Sequence, residues 1–142
     1  MYIKNFNTIV SGIASGEALV SKSAISFYGG VDPENGKIQD VYNNLFGSCI
    51  TGKILCIPRS KGSCSGSTVV LELIRRGLSP AAILCLEAEP VLSLGALIGK
   101  KIYTHTMPIL TISEKDFDSI RNGDLIKITE AGISIAESFL TF

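Results

Sequence analysis

Histidine is nearly absent from this 142-residue chain, with His105 as its single copy, and neither sign of charge is in surplus. Lys plus Arg number 13 and Asp plus Glu 13, giving a formal net charge of +0. Such a balance offers no basic patch to a nucleic-acid backbone and no acidic solvating tail. No apolar run reaches about 18 residues, and no basic-then-apolar leader opens the chain, so a soluble, cytoplasmic protein that does not enter a membrane is expected. Linkers, repeats and low-complexity tracts are also missing, which predicts one domain over residues 1–142. The four cysteines, Cys49, Cys56, Cys64 and Cys85, include no close pair with ligand spacing. With His105 lacking a ligand-spaced companion, a zinc site is not expected, and nothing suggests a disulfide framework. Cys56 and Cys85 fall inside strand-like apolar runs, where a buried thiol behaves as a small hydrophobe.

What is present is apolar: 46% of residues are hydrophobic and only 18% charged. A well-filled core and a permanent partner surface would each account for that excess. The first third is punctuated by glycine and carries short β-forming pieces at Thr8–Val10, Glu17–Val20 and Ile25–Tyr28. The turn-rich Asp32-Pro33-Glu34-Asn35-Gly36 follows, and Gly47–Ile50 reads as another extended piece. These predict strands wrapped into a small barrel or curved sheet. From residue 53 the pattern changes to strand–helix alternation. Lys53–Pro58, Ala81–Leu86 and Pro108–Ile112 read as strands, and Thr68–Gly77 and Val91–Gly99 as helices, with Pro90 near the first turn of the second. Ser113 resembles a helix cap followed by first-turn acids. Leu125–Thr129 alternates as a strand after the Asn122-Gly123-Asp124 turn, and Gly132 opens a last one. The fold class expected is α/β, a β-rich N-terminal part followed by a βαβαβ core.

The stretch Arg59-Ser60-Lys61-Gly62-Ser63-Cys64-Ser65-Gly66-Ser67 joins the first strand of that core to its first helix. A glycine- and hydroxyl-rich turn at this place delivers backbone N–H groups to a helix N-terminus, which favours negative charge. Each residue carries a plainer reading too. Gly62 and Gly66 would serve a tight turn, Ser65 or Ser67 would cap the helix, and Cys64 is either a low-pKa thiol or a spectator. Lys61 either cradles an anionic substrate group or is a solvated loop lysine. Asp32 and Glu89 could face a substrate, although Asp32-Pro33 looks like a turn and Glu89 like a helix-start acid.

In this stretch the chain resembles the small subunit of aconitase X, the swivel-domain partner of an iron–sulfur dehydratase. The likeness extends through Gly16–Val20 with Ile25–Phe27, Gly29–Pro33 with Gly36, Ser79–Ile83, Glu87–Leu92 and Gly95–Ile98. Gly123–Ile128 also resembles the closing strand pair of aconitase-type swivel domains. The resemblance implies a swivelling β/β/α domain and a hydro-lyase of two subunits or two fused domains. It implies an iron–sulfur cluster held by the large subunit, none bound by this chain alone, and a small hydroxy-acid or hydroxy-imino-acid substrate. In the family's Lys-Gly-Ser motif the serine base falls on Ser63, with Lys61, Gly62, Cys64, Ser65, Gly66 and Ser67 as the substrate- or anion-binding loop. Family activities are dehydration of cis-3-hydroxy-L-proline and of mevalonate 5-phosphate. Cys64 leans toward the former, whereas Lys100–Met107 replaces a shorter, more apolar link.

Serine is a poor base unless it ionises. Lowering a pKa by about six units takes roughly 8 kcal/mol. A helix N-terminus supplies about 0.3–1 kcal/mol, or ~2 when partly buried. One well-placed backbone donor in a dry site adds about 2.7–4 kcal/mol. The shortfall calls for cations, with Arg59 and Lys61 as local candidates, or for an electrophile on another polypeptide. Two other classes compete: a non-catalytic anion-binding regulatory module, and a cysteine enzyme pairing Cys64 with His105.

Overall fold

The computed structural model describes residues 1–62, 65–87 and 90–137. Along the chain run β1 (Tyr2–Ile3), β2 (Phe6–Val10), β3 (Ala14–Val20), α1 (Phe27–Gly30), β4 (Ile54–Ile57) and α2 (Ser65–Arg76). They are followed by β5 (Ala82–Cys85), α3 (Pro90–Tyr103), β6 (Ile109–Ile112), α4 (Glu114–Ser119), β7 (Leu125–Thr129) and β8 (Gly132–Ala136). All eight strands join one sheet in the order β1-β8-β7-β3-β4-β5-β6-β2. Its centre is parallel, β3 beside β4, β4 beside β5 and β5 beside β6, while β7, β8, β1 and β2 add antiparallel partners on either side. The expected βαβαβ unit is therefore β4-α2-β5-α3-β6.

The pleat explains why β4 and β5 are apolar throughout rather than alternating, since both faces of a central parallel strand are covered. Leu55, Ile57, Ile83 and Cys85 meet Val70, Leu73, Leu92 and Ala96 of the helices. Their neighbours Ile54, Cys56, Ala82 and Leu84 point the other way, into a cluster with Phe117, Ile126, Ile128 and Ile133. The sheet thus curls around the second cluster, and α2 and α3 cover the first.

Three local expectations differ from what forms. Ile25–Tyr28 is not a strand of the sheet: Ile25 makes one isolated bridge to Ser60, and α1 follows, broken by an extended Tyr28 and by Gly29 at φ 85°. Gly47–Ile50 contributes only the isolated bridge Lys37↔Cys49. Gly99 does not end α3, which runs on to Tyr103. A Cβ at Gly99 would lie 2.6 Å from Ile74 Cδ1, so this glycine serves the contact with α2. The helix stops instead at Thr104, a rare threonine with positive φ, 55°. At α4 the expected cap is present, with Ser113 Oγ accepting from the Asp116 backbone N–H at 3.2 Å. Among the described residues, no helix is long and apolar enough to cross a membrane.

On the exposed side of α2, Glu72 Oε1 accepts from Arg75 Nε at 2.9 Å and from Arg76 Nε at 2.8 Å. The Arg75 hydrogen bonds, then those of Arg76, hold its carboxyl down to about 2 from an ordinary 4.5. A folded value below the unfolded one adds stability that is fully present above the unfolded pKa and lost as pH falls toward the folded one. Glu72→Gln is therefore expected to lower the melting temperature slightly near neutral pH, as exposed ion pairs do. In thermal melts the gap between variant and wild type should narrow as pH drops below about 4.5.

Candidate functional site

Strands β4, β5 and β6 run parallel, so the segments following them emerge at one edge of the sheet, where ligands of open α/β folds gather. The β4 exit is tied on both sides. The Pro58 carbonyl accepts the backbone N–H groups of Leu86 (3.0 Å) and Glu87 (3.4 Å), from the segment following β5. Arg59 Nε donates to Glu87 Oε2 at 3.1 Å. With both side chains more than half exposed, that pair contributes no more than about 1 kcal/mol. Its effect is to orient the two segments and to engage the Arg59 charge. On the other side, Ile25 N–H donates to the Arg59 carbonyl at 3.2 Å, and Lys61 N–H donates to the Ile25 carbonyl at 3.0 Å.

Beyond this clamp Lys61 and Gly62 are exposed. Lys61 makes no ion pair with a described residue, which leaves it as the cation of the turn not already neutralised. Gly62 has φ 102°, and a Cβ there would sit 2.7 Å from Ser26 Oγ. The Ser26 hydroxyl itself donates to the Tyr28 carbonyl at 2.8 Å. Ser63, Cys64 and Glu89 lie outside the described residues. Helix α2 already includes Ser65 and Ser67, so Ser67 is not the expected cap, and Ser65 stands at the first helical position with its carbonyl accepting from Thr68 Oγ1 at 2.6 Å. Gly66 is buried, its missing Cβ 3.2 Å from Val91 Cγ1 of α3. The N-termini of α2 and α3 are thereby packed side by side at this edge, and their dipoles add there.

The remaining sequence candidates are placed elsewhere. Asp32 spends its carboxylate on its own turn, Oδ1 accepting from Glu34 N–H at 2.9 Å. His105 Nε2 lies 3.3 Å from Ser79 Oγ. Ser79 precedes β5, so the imidazole belongs to the opposite edge of the parallel strands from the residues flanking Cys64. What the sequence left unnoticed is the clamp itself, Ile25, Ser26 and Glu87, because its partners are far apart along the chain. A groove of about 410 Å³ opens on the same edge, lined among others by Val20, Lys22, Pro58, Leu86 and Phe117.

Among the described residues, no group of three or more His, Cys, Asp or Glu converges as a metal site. The thiols do not help. Burial, then Asp124 and Cys85, pushes Cys56 up to about 12, and Cys56 and Cys85 pack into clusters on opposite faces of the sheet, so they do not converge as a donor pair. The described residues therefore do not fit an iron–sulfur cluster.

The turn's rigidity rests on Gly62. Gly62→Ala is expected to destabilise the chain by about 1–3 kcal/mol in chemical denaturation, because both the positive φ and the Ser26 contact resist a side chain. Adding Ser26→Ala should recover only part of the loss, since the backbone strain stays.

Comparison with known proteins agrees with this architecture. A cis-3-hydroxy-L-proline dehydratase of Pseudomonas aeruginosa is 42% identical over 113 residues, which cover 80% of this chain but 19% of that protein. A phosphomevalonate dehydratase small subunit of Methanococcoides burtonii is 39% identical over 122 residues, 85% of each chain. The crystal structure of Thermococcus kodakaraensis aconitase X in its holo-form superimposes with a TM-score of 0.82 at 35% identity, covering 92% of this chain and 95% of that one. The Aconitase X swivel domain matches residues 4–136, and the chain belongs to that family.

Proposed function

We propose that this chain is the small subunit of an aconitase X-type hydro-lyase and that Ser63 is its base. The observation that carries the reading is the clamped turn. Arg59 to Gly62 is held at the carboxyl edge of the parallel strands, beside two adjoining helix N-termini, with Lys61 exposed and uncommitted. Dehydration needs a base to take a proton next to a carboxyl-activated carbon and an electrophile to accept the hydroxyl. This chain supplies the first requirement. Ser63 follows Gly62 directly, Lys61 attracts the substrate's anionic group, and the positive helix ends favour the ionised hydroxyl.

Those contributions do not reach the roughly 8 kcal/mol that ionising a serine requires. Arg59 cannot close the gap, being engaged by Glu87. The reading therefore places the remaining stabilisation, together with the family's iron–sulfur cluster, on a large subunit. Cis-3-hydroxy-L-proline is the proposed substrate, favoured by Cys64 following the base. A second reading, mevalonate 5-phosphate, is favoured by the Methanococcoides burtonii relative, a small subunit of which 85% is covered.

Three measurements test the assignment. The isolated chain should show no dehydratase activity, and the reconstituted pair should turn over cis-3-hydroxy-L-proline. Turnover of mevalonate 5-phosphate alone would select the second reading. In the active pair, Ser63→Ala should lower kcat about 10²–10⁴-fold with assembly preserved. Unchanged activity in that variant would instead identify the turn as a non-catalytic anion-binding module.

A further inference from the structure

The segment Val41-Tyr42-Asn43-Asn44-Leu45-Phe46 is inside out. Its buried members include a polar one, Asn43 at 4% exposure, whereas Val41 is 66%, Tyr42 94% and Phe46 56% exposed. Tyr28, at 62%, stands nearby in the chain's hydrogen-bond network: Gln39 donates from Nε2 to the Gly29 carbonyl at 3.1 Å and from its backbone N–H to the Gly30 carbonyl at 2.9 Å. Folding of this chain alone gives no reason to place three large apolar side chains in water around a buried amide.

The segment is nonetheless firmly held. Asn43 Nδ2 donates to Ser21 Oγ at 3.0 Å and to Ser23 Oγ at 3.3 Å, and its Oδ1 accepts from Leu45 N–H at 2.8 Å. Asn44 Nδ2 donates to the Val20 carbonyl at 3.0 Å, and its Oδ1 accepts from Lys22 N–H at 2.8 Å. Leu45 enters the core at 3% exposure. Exposed aromatics fixed in advance are what a binding anchor requires, because little freedom is lost on association.

Position points to the occupant. Asn43 and Asn44 grip residues 20–23, and two residues further on Ile25 pairs with Arg59 and Lys61 in the clamp. The patch therefore flanks the proposed catalytic turn. The stretch similar to this chain makes up 19% of the Pseudomonas aeruginosa protein, and the Methanococcoides burtonii relative is a separate small subunit. The same domain thus occurs within a polypeptide about five times as long and also as a free chain.

We propose that Tyr28, Val41, Tyr42 and Phe46 form the surface on which the large subunit seats. This inference rests on the proposed function and names the face through which it operates. Leu94, Leu97 and Ile102 are also exposed, but they lie on α3, further along the chain than the Glu87 tie, and serve as the comparison face in the test.

The test uses this chain co-expressed with the large polypeptide of its own source, chosen by similarity to the remaining four-fifths of the Pseudomonas aeruginosa protein. Affinity is measured by titration calorimetry, and folding of each variant by circular dichroism. Tyr42→Ser with Phe46→Ser should weaken association about 30-fold or more, and Leu94→Ser with Leu97→Ser should change it less than about threefold. Tyr42→Phe, which keeps the ring, should bind nearly as wild type does. A folded Tyr42/Phe46 variant that binds normally, or a loss confined to the α3 variant, overturns the inference and leaves the functional reading standing. Absence of any complex with the wild-type chain overturns both.

Discussion

Helices α2 and α3 cross in close contact, and the arrangement of the functional edge follows from that crossing. At Gly95 a Cβ would lie 2.8 Å from the Ser67 carbonyl oxygen and 2.9 Å from Val70 Cβ, so the helices approach as they do because a side chain is missing. An alanine there would overpack the crossing at a cost of about 1–3 kcal/mol. The approach sets Gly66 against Val91 and seals Leu73, Leu92 and Ala96 over the sheet. It also brings two helix N-termini to the carboxyl edge of β4 and β5. A backbone contact in the core thus determines the electrostatics of the edge.

That edge divides its charges unequally. Arg59 is paired with Glu87, a link worth little in free energy but able to hold one turn against the next. Lys61, two residues on, makes no ion pair with a described residue. The described cysteines add no chemistry there: Cys56 and Cys85 are sealed within the sheet, and Cys49 is exposed after the turn-rich first part. No group of three or more His, Cys, Asp or Glu among the described residues could hold a metal ion, and under the proposed function the electrophile is supplied by the large subunit.

Segment 40–46 fits the same logic. Apolar excess in the composition admitted two explanations, a full core or a partner surface; the core draws on it visibly, and the proposed surface for the large subunit would draw on it as well. The core takes the aliphatic residues of β4, β5, α2 and β7, while Val41, Tyr42 and Phe46 stay outside, kept there by the buried Asn43. Five hydrogen bonds made by the Asn43 and Asn44 side chains, the three of Asn43 buried or half-buried, hold this outward arrangement in place.

Several elements carry their signal in consecutive residues. The apolar runs at Ile54–Ile57 and Ala82–Cys85, the serine cap of α4 and the alternation of β7 are written in consecutive residues. The family, too, was legible from ordered motifs between Gly16 and Ile98. Which glycines end a helix and which admit a neighbour depends instead on packing between distant segments: Gly99 has the look of a stop, yet it makes room for Ile74. Ile25–Tyr28, a strand by propensity, becomes one bridge beside Ser60 and a helical turn broken at Tyr28 and Gly29. The Arg59–Glu87 tie spans 28 positions and the Asn43–Ser21 bond 22. Pairings at such separations leave no periodic trace in a chain, since they exist only once the strands between them have folded into register.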